Sequence, residues 1–208
     1  MRMKYGLSQV VMIVGLLHCA QSIATSASAA LQSKLNAMRT LSADFHQVVR
    51  AKKKVVSRSS GTMALSRPGH FRWQTKTPMA QWVIADGQHL WVYDVDLEQV
   101  TVKKQDKHLG GTAALFLSES DESVAREFEV TSHQAGKKTI FELQSRQHKA
   151  NFEQVTLQFV GEVLEEIIMV DQLGQHTEVR LQDIKMNPIL RQTLFQFKPP
   201  KGIDVVAQ

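Results

Sequence analysis

One cysteine in 208 residues, Cys19, gives this chain no partner for an internal disulfide and too few thiols for a cysteine-based metal site. No apolar run reaches the roughly 18 residues that a membrane-crossing helix needs; the longest, 10–17, breaks at His18. There is no nucleophile elbow, no zinc-protease histidine pair and no dinucleotide fingerprint. "AGKKT" at 135–139 has the Gly-Lys pair of a phosphate loop but lacks the upstream glycine. The histidines His46, His70, His89, His108, His133, His148 and His176 are scattered singly, without ligand spacing. These absences remove most routes to catalysis, and an enzyme is the weak reading.

The first residues form an export signal. Arg2 and Lys4 make a basic start, 10–17 is an apolar core, and Ala27-Ser28-Ala29 is a small-x-small cleavage site. The predicted division is a cleaved signal peptide, 1–29, and one domain, 30–208, of 179 residues. Cys19 raises the alternative of a lipid-anchored N-terminus, against which stands the bulky His18 before it. Removing the signal takes two basic residues, so the formal net charge falls from +5 to +3, too little to argue for nucleic acid. Lys52-Lys53-Lys54, Lys103-Lys104 and Lys137-Lys138 each lie beside a strand-like run and read as solvated hairpin tips and strand ends.

What the mature chain does have is alternation. Leu31, Leu35 and Met38 recur at helical spacing and predict a short amphipathic helix. From Leu41 the period becomes two, with Ala43, Phe45 and Val49 on one face; a continuous helix over 31–49 is the alternative. Strands are predicted at 55–65, 70–75, 81–85, 89–93 and 99–104, then at 128–132, 139–144, 154–159, 164–171, 177–184 and 192–198. Asp86-Gly87 and Leu173-Gly174-Gln175 mark hairpins, and Asp94-Val95-Asp96 reads as a turn rather than a metal-holding pair. Residues 110–128 predict one or two further short helices. The expected fold is mainly β: one strongly curved antiparallel sheet of about eleven strands, an unclosed barrel with short α-helices as a lid over its apolar concave face.

Within 66–82, "SRPGHFRWQTKTPMAQW", strict alternation puts Phe71 and Trp73 on one face and His70, Arg72 and Gln74 on the other. Few short helices cannot fill the concavity of so long a sheet, so an apolar cavity is expected there.

"FHQ" at 45–47, "SRPGHFRW" at 66–73, "ADGQHLWVYDVDLEQVTV" at 85–102 and "FQFKPPKGIDV" at 195–205 together resemble the periplasmic outer-membrane lipoprotein carriers of the LolA type, in order and spacing over the whole mature chain. The resemblance implies a monomeric periplasmic carrier of a Gram-negative bacterium. It would accept acylated lipoproteins from an ATP-driven inner-membrane transporter and deliver them to an outer-membrane acceptor, with no cofactor and no chemistry on the cargo. It also implies that Arg67 latches the lid through helix carbonyls, expected near Leu117 and Ser118. Phe71 and Trp73 would line the cavity, with Phe45, Trp82 and Trp91 as further wall and Leu115 and Phe116 contributed by the lid. Two relatives of the same fold compete: the outer-membrane acceptor, if Cys19 is lipidated, and a periplasmic lipid-binding sensor.

Overall fold

The computed structural model describes residues 26–105, 117–118, 127–146 and 152–208. Residues 1–25 of the expected signal peptide, and Leu115 and Phe116, lie outside the described residues. Ser26 caps the first helix, α1 (Ala27–Ala37), its hydroxyl accepting from the Ala29 N–H at 3.2 Å. The expected cleavage after Ala29 falls inside the first turn of α1 and would leave 30–37 with both of the helix's buried leucines.

The helix does not continue into the following segment. Asn187 stands at the junction: its Nδ2 donates to the Ala37 carbonyl at 2.9 Å, and its Oδ1 accepts from the N–H groups of Arg39 and Thr40 at 2.9 and 3.2 Å. One side chain thus satisfies an orphan carbonyl at the helix end and two amides at the start of a strand. From there Leu41, Ala43 and Phe45 alternate inward along β1 (Thr40–Ala51), so the strand reading holds and the continuous helix does not.

Among the described residues twelve strands form one sheet: β1, β2 (Lys54–Ser66), β3 (His70–Thr77), β4 (Gln81–Asp86), β5 (His89–Asp94), β6 (Gln99–Lys104), β7 (Phe128–Ala135), β8 (Lys138–Ser145), β9 (Phe152–Val160), β10 (Val163–Asp171), β11 (His176–Met186) and β12 (Asp204–Ala207). Their spatial order is β12-β6-β5-β4-β3-β2-β1-β11-β10-β9-β8-β7, which leaves β12 and β7 as edges and the barrel unclosed. β1 sits mid-sheet, pairing with β2 on one side and β11 on the other, and so welds two antiparallel meanders together.

Two local expectations are corrected. Asp86 precedes its turn rather than occupying it: the loop is Gly87-Gln88, with Gly87 at φ +92°, and the Asp86 carboxylate caps it by accepting from the N–H groups of Gln88 and His89 at 2.8 and 2.7 Å. Residues 192–198 do not form a strand. Gln192–Phe195 is a 3₁₀ turn, and the segment crosses the outer face of the sheet, setting Phe195 and Phe197 onto it. β11 already has neighbours on both sides, so the chain finds no edge there. It reaches one only past Pro199 and Pro200, where β12 adds to β6 in parallel.

Each face of the sheet carries its own apolar layer. The concave face holds the main core, from Leu41, Phe45, Leu65, Phe71 and Trp73 across to Phe141, Leu157 and Ile167, closed by Leu31, Leu35 and Met38 of the α1 region and by Leu117. Ile84, Val100 and Phe195, fully buried on the convex side, lie outside that cluster. Further round, the convex face turns ionic: Arg180 bridges Glu166, at 2.8 Å, and Glu178, which also meets Arg50. The hydrogen bond that Arg180 donates to Glu166, and the charges of both carboxylates, hold the Arg180 pKa above its ordinary value.

Candidate functional site: an apolar wall under a tied helix

The wall is built by register. Trp73 pairs with Met63 and Val83, and Phe71 with Leu65 and Ala85, so these side chains share the concave face. Phe45 enters from β1 and stacks on the Trp73 ring, with centroids 3.9 Å apart and planes at 26°. Gly61 makes this stack possible: a Cβ there would meet the Gln74 carbonyl oxygen at 1.9 Å and the Phe45 ring at 2.9 Å. Phe45, Phe71 and Trp73, each expected in the site, are brought together and buried.

Trp82 and Trp91 are not part of this wall. Trp82 pairs with Gln74 and Tyr93, and Trp91 with Ile84, positions that alternate to the convex face. There Phe197 lies 6.4 Å from Trp82, 5.7 Å from Trp91 and 5.8 Å from Tyr93, ring centre to ring centre. The Arg72 guanidinium sits 4.5 Å over Trp82, and one of its nitrogens donates to the Leu194 carbonyl at 3.3 Å. Burial lowers the Arg72 pKa. The Trp91 indole donates to Asp86 at 2.9 Å. The expectation that both tryptophans line the cavity is therefore corrected by the period of two: an odd step along a strand reverses the face.

What covers the wall is α1, with Leu31, Leu35 and Met38 buried against it. Three polar ties engage its C-terminal half at one end of the sheet. Arg67, in the β2–β3 turn, donates through Nη1 to the Leu35 carbonyl at 2.6 Å, and its backbone N–H donates to the Arg39 carbonyl at 2.9 Å. Lys34 Nζ reaches the β9–β10 turn, 2.8 Å from both the Gly161 carbonyl and the Glu162 carboxylate. Asn187 supplies the third tie. The guanidinium adds a donor to the Leu35 carbonyl, which also accepts from the Met38 N–H at 3.2 Å, and the Asn187 amide donates to the Ala37 carbonyl at the helix end.

The second cover element is held by the same turn. Leu117 and Ser118 are helical and buried, and the Ser118 carbonyl accepts from the Gly69 N–H at 2.8 Å. The β2–β3 turn thus engages α1 through the Arg67 side chain and the Ser118 position through the Gly69 backbone. Gln105 braces the turn, donating to the Gly69 carbonyl at 2.8 Å and accepting from the Gly87 N–H at 3.1 Å. Asn187 and Gln105 escaped the sequence reading because their roles depend on partners far along the chain. The only local trace is the left-handed backbone of Asn187, φ +53°, a conformation that asparagine tolerates.

A single unclosed sheet with an apolar concave wall, covered by a helix tied through a few polar bonds to its turns, defines a lidded β-sheet fold with an apolar interior. Residues 36–198 match the outer membrane lipoprotein carrier protein LolA family, and the chain belongs to that family. It is 53% identical over 202 residues to an outer-membrane lipoprotein carrier protein of Legionella pneumophila (strain Corby), covering 97% of this chain and all of the relative. To the carrier of the same name from Azotobacter vinelandii it is 36% identical, over 86% of each chain. The fold also resembles an uncharacterized conserved protein of Thermus thermophilus, with a TM-score of 0.54 at 12% identity, covering 86% of this chain and 99% of that one.

Proposed function

We propose that this protein is a periplasmic carrier that shelters the acyl chains of lipoproteins, receiving them from an ATP-driven transporter at the inner membrane and passing them to an acceptor at the outer membrane. The observation that carries this reading is the cover: Leu31, Leu35 and Met38 seal an apolar wall, with Arg67, Lys34 and Asn187 tying the helix at its C-terminal half. Acyl chains would replace α1 on the wall, and Arg67 would act as the latch that keeps the empty wall covered.

The magnitudes permit exchange without an energy source. Exposing three large apolar side chains costs about 5–9 kcal/mol at ~1.5–3 kcal/mol each, and burying acyl methylenes at ~0.8 kcal/mol apiece offsets that with roughly 6–11 of them. One long acyl chain suffices to open the cover, and further chains add affinity. An acceptor with a modestly better apolar site can then withdraw the cargo.

The deciding experiment is copurification. Protein recovered after export from cells depleted of the outer-membrane acceptor, and weighed intact, should carry substoichiometric acylated lipoproteins. Repeated recovery with free lipid alone, or with nothing, would overturn the carrier assignment.

A further inference from the structure

The two ends of the sheet differ in a way that neither the wall nor the cover explains. At the end where α1 is tied, the four described hairpin turns are 67–69, 87–88, 136–137 and 161–162, and none carries an exposed large apolar side chain. At the opposite end the four described turns are 52–53, 78–80, 95–98 and 172–175. There Met79, Leu97 and Leu173 are 68%, 72% and 91% exposed, and Val55 and Val56, beside the first turn, are exposed as well. Single exposed apolar residues are ordinary, but their segregation to one end is not. Elsewhere among the described residues Ile189, two residues past Asn187 at the tied end but outside its hairpin turns, and Val205 and Val206, on edge strand β12, are comparable.

The β1–β2 hairpin makes this end basic. Pairing with β3 begins at Ser60, so β2 runs six residues past the end of its neighbour, and residues 52–58 are exposed on both faces. Lys52 and Lys53 hold the turn at φ +48° and +65°, followed by Lys54 and, four residues on, Arg58. Among the described residues no hydrogen bond or ion pair engages the three lysine ammonium groups. The Leu173 turn is level with this tip, because Arg50 pairs with His176. The carboxylates nearby are already engaged: Glu178 with Arg50 and Arg180, and Asp171 with the N–H groups of Leu173 and Gln175. Asp96 and Glu98 flank Leu97 in the β5–β6 turn, which makes that corner the least basic.

We infer that this end of the sheet docks on an anionic lipid surface, with Leu173, Val55 and Val56 entering the interface and Lys52, Lys53 and Lys54 on the headgroups. Successive hairpin turns stand two strand spacings, about 10 Å, apart, so the apolar tips form a row of separate points rather than a continuous patch. A protein interface needs a contiguous, dehydrated core, whereas a bilayer surface admits each tip by itself and supplies negative charge to the lysines. The inference stands on the hairpin tips alone and does not depend on the carrier reading.

Vesicle flotation of the exported, processed protein tests it, using phosphatidylglycerol–phosphatidylethanolamine vesicles against vesicles of phosphatidylcholine alone. The protein should float with the anionic vesicles, and less so as salt rises. Replacing Lys52, Lys53 and Lys54 with glutamine should weaken binding about fivefold per charge at low salt. Leu173→Ser with Val56→Ser should weaken it about tenfold. Ile189→Ser should change nothing, and Leu97→Ser least among the tips. All these positions are exposed, so thermal melts should be unaltered. Equal binding to both vesicle types, lysine and tip variants that float like the parent, or a loss as large for Ile189→Ser would each overturn the inference. So would binding to native membranes that protease treatment of those membranes abolishes while protein-free vesicles never hold the protein.

Discussion

The two faces of β3–β5 carry similar aromatic residues in opposite circumstances. On the concave side Phe71 and Trp73 are buried, Trp73 against Phe45, under a helix that touches the sheet mainly through apolar side chains. On the convex side Trp82, Trp91 and Tyr93 are half-buried under Phe197, in a segment that then continues into β12. The convex contacts are polar as well as apolar: Arg72 stacks on Trp82 and bonds Leu194, and Trp91 bonds Asp86. The segment carrying Phe195 and Phe197 runs between β11 and β12, so strands hold it at both ends. Among the described residues α1 continues into a strand only at its C-terminal end, through β1. The same residue types therefore serve as structural packing on one face and, on the proposed reading, as an exchangeable surface on the other.

Truncation at matched positions is the strongest way to break this comparison. Phe45→Ala removes the partner of Trp73 from a fully buried site and should destabilise the fold by about 3–5 kcal/mol, read from the denaturant midpoint. Phe197→Ala, at a half-buried site, should cost clearly less and leave uptake of a fluorescent fatty acid unchanged. An equal loss of stability, or lost uptake in the Phe197 variant, would make the convex layer the primary core.

Next comes the fit of the concave wall. Gly61→Ala places a methyl group where the Gln74 carbonyl and the Phe45 ring already are, and the clash with backbone cannot be relieved by a rotamer change. Destabilisation of roughly 1–3 kcal/mol or more is expected, with weakened exchange protection along the β2–β3 pairing. Unchanged stability would mean that the wall is looser than the ring stacking indicates.

A more local effect on stability, and a larger one on exchange, should follow from releasing the cover. Arg67→Leu deletes the donor to the Leu35 carbonyl, a charge-assisted bond worth about 1.5–3 kcal/mol. Amide protection in α1 should fall roughly tenfold or more while the sheet keeps its own. Arg72→Leu, the convex counterpart, should leave α1 protection untouched. Identical α1 exchange in wild type and Arg67→Leu would remove Arg67 from the latch.

Much of this was legible because sheets write their geometry at short range. The alternation of Leu41, Ala43 and Phe45, and of Phe71 and Trp73, located β1 and β3 and assigned faces correctly. The same rule, applied one strand on, would have placed Trp82 outward, but that requires the register that pairs Trp82 with Gln74, which no local pattern supplies. Phe195 and Phe197 alternate like a strand and yet lie across the sheet, because the edge they could join is reached only after two prolines. The family resemblance singles out Arg67 and expects its partners near Leu117 and Ser118, while its bond to Leu35, 32 residues away, is a tertiary fact. Asn187, which ends the helix and starts the strand from 150 residues downstream, left no comparable mark.

The mildest perturbation acts on the convex side alone. Burial tends to raise the Asp86 pKa, but the Trp91 indole, the N–H groups of His89 and Gln88 and the charge of His89 outweigh it and hold the carboxyl below its ordinary value. A carboxyl depressed in the folded state contributes stability above its unfolded pKa, about 3.9, and loses that contribution as pH falls through the lower folded value. The melting temperature of the parent should therefore carry an acid-limb slope below about pH 4 that Asp86→Asn lacks. The asparagine variant, whose amide nitrogen cannot accept from the Trp91 indole, should also be slightly less stable at neutral pH. Because Asp86 holds the outer aromatic layer and not the wall, fatty-acid uptake at neutral pH should be the same in both proteins. A change in uptake would show that the two faces are coupled through β4 and β5, and the outer layer would then share in the work proposed for α1.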